Sequence, residues 1–121
     1  MKKCFLIFTM LMMLGMQSKA MDYNQASTQG KTVVLYLYST YCPACKRFSP
    51  LFDIVTSKYG DKFSFAKENC NGSEMGAKLR PDYVPVVYLI EPQKRTSQKM
   101  DYQCMTDQAC FEQTLKQYSS K

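Results

Sequence analysis

The chain of 121 residues contains no histidine and no tryptophan. Without histidine, no imidazolium can stabilise a neighbouring anion, and a zinc site would lose its usual nitrogen ligand. The sequence also lacks a basic run, an internal repeat and a low-complexity stretch. Past residue 20 it has no second long hydrophobic segment, so no stable membrane insertion is expected of that part.

The one long apolar run is at the start. Lys2 and Lys3 precede an almost unbroken apolar stretch from Cys4 to Met16, and Ser18-Lys19-Ala20 follows with small residues where a signal peptidase inspects the chain. Residues 1–20 read as a cleavable signal peptide, too short for a comfortable membrane span. An uncleaved anchor is the alternative. Cleavage would leave residues 21–121 as one small domain with one core. The formal charge would fall from +6 to +3, because Lys2, Lys3 and Lys19 leave and 13 basic side chains then face 10 acidic ones. That mild excess does not argue for nucleic acid. The chain ends Tyr118-Ser119-Ser120-Lys121 without a retention sequence, so a periplasmic or secreted location is expected.

The rest is organised around Thr32 to Phe52. Val33 to Leu37 is a continuous β-branched and aromatic run, suited to a strand covered on both faces, within about Thr32–Tyr38. Cys42-Pro43-Ala44-Cys45 follows and opens a helix expected over Pro43–Tyr59. Pro43 fits the first helical position, where its missing N–H costs nothing, which makes Cys42 the N-cap. Its sulfur would face the positive end of the helix, where a thiolate is favoured. Cys45 lies one turn up the same face and can close a small disulfide ring. Cys42 and Cys45 are therefore the candidate catalytic pair of a thiol–disulfide oxidoreductase. Phe48, Leu51, Phe52, Val55 and Tyr59 give the helix an apolar face, Pro50 should kink it, and Gly60 should end it.

Asp22 to Lys31 reads as a short helix or loose lead-in. Phe63–Glu68 alternates as a second strand, parallel to the first through a right-handed crossover. Glu74–Leu79 is a short helix, Val86–Ile90 a third strand, and Thr96–Gln103 a fourth, antiparallel strand. Thr106 is expected to cap a last helix over Asp107–Tyr118, with Asp107 placed for its dipole. Three further cysteines lie in residues 21–121. Cys104 and Cys110 flank the start of that helix, and a structural disulfide between them is expected; a second redox pair is the alternative. Cys70 is then a packed free thiol. Metal binding by Cys42, Cys45 and Cys70 is the competing reading, disfavoured without histidine. No metal and no cofactor are expected.

The order βαβαββα, the Cys-X-X-Cys at the first helix start, Pro50 five residues after Cys45, the strand Phe65-Ala66-Lys67-Glu68-Asn69, and Val84-Pro85 before an apolar strand together resemble the thioredoxin superfamily over almost the whole mature chain. The resemblance implies an α/β thioredoxin-like fold with a four-stranded mixed sheet flanked by helices. It also implies that Pro85 is cis and packs against the cysteine pair, and that Val84 offers its backbone to an extended substrate. The substrate-contact surface would then comprise Tyr41, Pro43, Ala44, Val84 and Pro85. The partners implied are cysteine-containing protein substrates and a redox partner protein, acting on a monomer.

This sequence departs from the family at Tyr41, where tryptophan is usual, and at Tyr36, where a buried acid is usual, so the base that helps deprotonate the second cysteine is missing or replaced. Two other functions compete. Tyr38 to Pro43 and Tyr83-Val84-Pro85 also resemble glutaredoxins, which act on glutathione mixed disulfides, but Glu91-Pro92-Gln93 stands where those proteins place a glycine pair. A non-catalytic binding module in an envelope assembly is the other, opposed by the intact Cys-X-X-Cys.

Overall fold

The computed structural model describes residues 20–119. The signal-peptide reading therefore falls, but for Ala20, outside the described residues. The apolar run forms β1 (Val33–Tyr38), with Val33 to Leu37 all fully buried. Its alternating side chains serve two cores. Val34 and Tyr36 face one side, where they meet Phe48, Phe52 and Val55 of α2 (Pro43–Tyr59) and Phe111 and Leu115 of α4 (Gln108–Ser119). Val33, Leu35 and Leu37 face the other, with Ala26 of α1 (Tyr23–Ser27) and Met75 of α3 (Glu74–Leu79). A strand buried on both faces needs such a continuous apolar run, and the outcome is helix–sheet–helix layering.

The sheet order is β2-β1-β3-β4, with β2 at Ser64–Asn69, β3 at Val86–Glu91 and β4 at Thr96–Lys99. β1 runs parallel to β2 across the α2 crossover and antiparallel to β3, and β4 is antiparallel to β3. The sheet is thus mixed and four-stranded, on a thioredoxin-like α/β fold. Met21 adds a short parallel bridge to the outer edge of β2: its N–H donates to the Phe65 carbonyl at 2.9 Å, and its carbonyl accepts from the Lys67 N–H at 3.0 Å. The lead-in is a short helix, capped by Asp22, whose carboxylate accepts from the Gln25 N–H at 2.7 Å.

Two expectations are corrected. The fourth strand ends at Lys99 instead of Gln103. The Met100 N–H still donates to the Val87 carbonyl at 2.8 Å, but the Asp101 carboxylate then accepts from the Gln103 N–H at 3.0 Å and starts a 3₁₀ turn, Tyr102–Met105. That turn drops Cys104 and Met105 into the core. Thr106 does not cap α4, because its hydroxyl donates back to the Gln103 carbonyl at 3.3 Å. Asp107 takes the role, its carboxylate accepting from the N–H groups of Ala109 at 3.0 Å and Cys110 at 3.4 Å. An ionised carboxylate, which only accepts, is well suited to those free N–H donors.

Candidate active site

β1 ends at Tyr38, and a short turn carries the chain to Cys42 at the head of α2. Asn69 at the end of β2 steadies that turn by donating to the Thr40 hydroxyl at 3.0 Å. Cys42 is the N-cap, in extended conformation, with Pro43 opening the helix. Its sulfur accepts the Cys45 N–H at 3.0 Å, so one of the helix's unshared donors points at the proposed nucleophile. Cys42 and Cys45 form a disulfide with Cα atoms 5.2 Å apart. The two differ in access, with Cys42 half-buried and Cys45 only 3% exposed. An incoming sulfur therefore reaches Cys42 first.

The loop before β3 completes the site. The Val84–Pro85 peptide bond is cis. The Val84 carbonyl oxygen lies 3.7 Å from the Cys42 sulfur. Pro85 is buried and Val84 half-buried against the same core cluster as Cys42. Of the other sequence candidates, Pro43 is exposed and Ala44 half-buried beside the sulfurs, while Tyr41 projects into solvent at 91% exposure. Cys104 and Cys110 are bonded to each other, with Cα atoms 4.9 Å apart, and tie the 3₁₀ turn to the first turn of α4. Cys70 is a free, half-buried thiol at the end of β2. Among the described residues, no group of three or more His, Cys, Asp and Glu side chains is placed to hold a metal ion, and no helix is long and apolar enough to cross a membrane.

Sequence reasoning missed a hydroxyl cluster beneath Cys45. Tyr36, fully buried, donates its hydroxyl to the Cys45 carbonyl at 3.1 Å, and Ser49 donates to the same oxygen at 2.8 Å. Burial raises the Tyr36 phenol above its ordinary value, against a smaller lowering by the Ser49 hydrogen bond, so it is neutral at physiological pH. The Lys67 ammonium lies 5.7 Å from the Tyr36 ring centre and 5.1 Å from that of Tyr38, a cation over two π faces. The available signal was Ser49, one helical turn beyond Cys45 on the same face. Tyr83 and Tyr102, both exposed, also meet edge to face at 5.2 Å, next to Val84.

An N-capping cysteine that receives a helix N–H, a buried partner one turn on, and a cis-proline loop against the first sulfur make a site with the geometry that thiol–disulfide exchange requires. A family model described as Thioredoxin matches residues 15–117, and the chain belongs to that family. A thioredoxin from Coprinus comatus is 32% identical over 47 residues, which cover 38% of this chain and 44% of that protein. The chain thus spans under half the length of that curated relative. The solution structure of a thioredoxin from Thermus thermophilus superposes with a TM-score of 0.67 at 20% identity, covering 85% of this chain and 88% of the other. A thioredoxin from Malassezia sympodialis gives 0.65 at 21% identity, covering 85% and 93%. At these identities the two structures speak for the fold alone.

Proposed function

We propose that this protein is exported and exchanges disulfides with cysteine-containing protein substrates through Cys42 and Cys45. One observation carries the reading: the Val84 backbone oxygen lies 3.7 Å from the Cys42 sulfur. An extended substrate segment that hydrogen-bonds to Val84 would be held with its own sulfur beside Cys42, as in strand addition. Tyr41, Pro43 and Ala44 would form the surface around it, with Pro85 buried beneath Val84's loop.

The Cys42 thiolate attacks a substrate disulfide, forms a mixed disulfide and expels one substrate thiolate. Cys45 then loses its proton and attacks the Cys42 sulfur. The second substrate thiolate leaves and takes up a proton, and two electrons have passed from the cysteine pair to the substrate. The reverse sequence oxidises substrate thiols, and a redox partner protein resets the pair. Export is supported by the apolar N-terminal run with its small-residue exit, and by a second disulfide, Cys104–Cys110, of the kind that persists outside the cytosol.

The test is disulfide reduction in insulin, with dithiothreitol as electron source, by the wild type, Cys42→Ser and Cys45→Ser. Cys42→Ser should lose turnover, and Cys45→Ser should accumulate mixed disulfides through Cys42. Full activity in both variants would dispose of the mechanism. A stronger preference for a glutathionylated peptide than for insulin would favour the glutaredoxin-like alternative. When expressed in a secreting bacterium, the mature protein should begin at Met21; a full-length chain retained in the membrane would favour the uncleaved anchor, and a full-length chain in the cytosol would refute export.

A further inference from the structure

Cys45 is gripped by its backbone from the sheet side. Tyr36 rises from the middle of β1 with its ring edge-on to Phe48 at 4.8 Å and tilted against Phe52 at 5.0 Å, so its position is set by packing. Its hydroxyl and that of Ser49 both reach the Cys45 carbonyl, at 3.1 and 2.8 Å, and lie 3.2 Å from each other. A carbonyl oxygen can accept more than one hydrogen bond, so the two hydroxyls can converge on it beside the helix's own N–H. The grip falls where the helix is weak, since Pro50 has no N–H to give the carbonyl of Lys46 one turn earlier.

We propose that Tyr36 and Ser49 are positioning residues for the second step of exchange. By tying the Cys45 peptide to β1 they keep the resolving sulfur close to Cys42 after Cys42 has been taken up in a mixed disulfide, when no covalent bond links the two cysteines. In that step the Cys45 thiol gives its proton to solvent, the Cys42–Cys45 bond forms, the bond from Cys42 to substrate breaks, and the departing thiolate takes a proton from solvent. A loosened Cys45 lowers its effective concentration at the mixed disulfide and slows this step. The attack by Cys42 does not use Cys45 as a nucleophile and should be spared.

The inference rests on exchange at Cys42 and Cys45, and the experiment separates the two claims. The reduced protein, in a Cys70→Ala background with Cys104–Cys110 intact, is mixed with an aromatic disulfide that releases a coloured thiolate. The first release reports attack by Cys42 and the second reports resolution by Cys45. Tyr36→Phe keeps the ring packing, and Ser49→Ala suits a helix. Each should leave the first release within about twofold and slow the second about two- to tenfold, as expected from losing one hydrogen bond. Because they share an acceptor, the double variant should slow the second release by less than the product of the single effects. An unchanged second release in both variants, or equal slowing of both releases, overturns the proposal while exchange stands. Absence of any second release from the wild type refutes the exchange reading instead. Should Tyr36→Phe fail to fold, Ser49→Ala alone decides.

Discussion

Removing the Cys104–Cys110 bridge should cost stability and leave exchange intact. The bridge spans a sequence separation of 6, and in the chain-entropy view closing so short a loop is worth about 2 kcal/mol. Cys104 is fully buried with its sulfur 3.6 Å from the Thr114 hydroxyl, so Cys104→Ala also opens a small void, roughly 1 kcal/mol more. The double variant Cys104→Ala/Cys110→Ala should therefore lose about 3 kcal/mol. In urea, that lowers the unfolding midpoint by about 1–3 M, and in a thermal scan it lowers Tm by more than about 10 °C. The assay pairs urea unfolding with insulin reduction at a temperature where the variant is folded. Stability matching the wild type would refute the idea that this bridge staples the 3₁₀ turn to α4. A folded variant that no longer exchanges would show that the second pair relays electrons to the first.

Two further outcomes are expected. Hydrogen bonds from Lys58, Gln108 and Tyr59 hold the Glu112 carboxyl down to about 2 from its ordinary 4.5, against a smaller opposing effect of burial. Because its folded-state value is lowered, Glu112 stabilises the protein above pH of about 4.5, and that contribution is lost as pH falls toward about 2. Urea midpoints measured across this range should fall less steeply for Glu112→Gln than for the wild type, and parallel slopes would contradict the assignment. A Cβ at Gly76 would collide with the backbone carbonyl of Cys70, which cannot swing aside, so Gly76→Ala should destabilise the protein by about 1–3 kcal/mol in urea unfolding, and a neutral result would contradict that packing.

The parts legible in sequence were those with a local physical cause. Val33 to Leu37 suits a strand buried on both faces, and Cys42-Pro43 suits a helix start, so β1, the head of α2 and the pairing of the two cysteines were legible in the residues. The errors arose where two local signals competed. Thr106 and Asp107 are both good caps, and the choice turned on the Thr106 hydroxyl being drawn back to Gln103. β4 stops short of the expected Gln103 because Asp101 turns the chain inward, a change of direction that the polar residues of the strand do not signal. The Tyr36–Ser49 grip was legible only in part, through Ser49 one helical turn beyond Cys45. Tyr36 was noted as standing where an acid is usual, but its partner is a backbone carbonyl, which no side-chain pattern reveals.

The account rests on Cys42 being held as an anion by the head of α2 and the Cys45 N–H. The direct test is a titration of the thiolate by its ultraviolet absorbance in Cys45→Ala/Cys70→Ala of residues 21–121, where Cys42 is the one reduced cysteine while Cys104–Cys110 is intact. The account predicts a midpoint well below the roughly 8.5 of a free cysteine, and a midpoint at or above that value would contradict it.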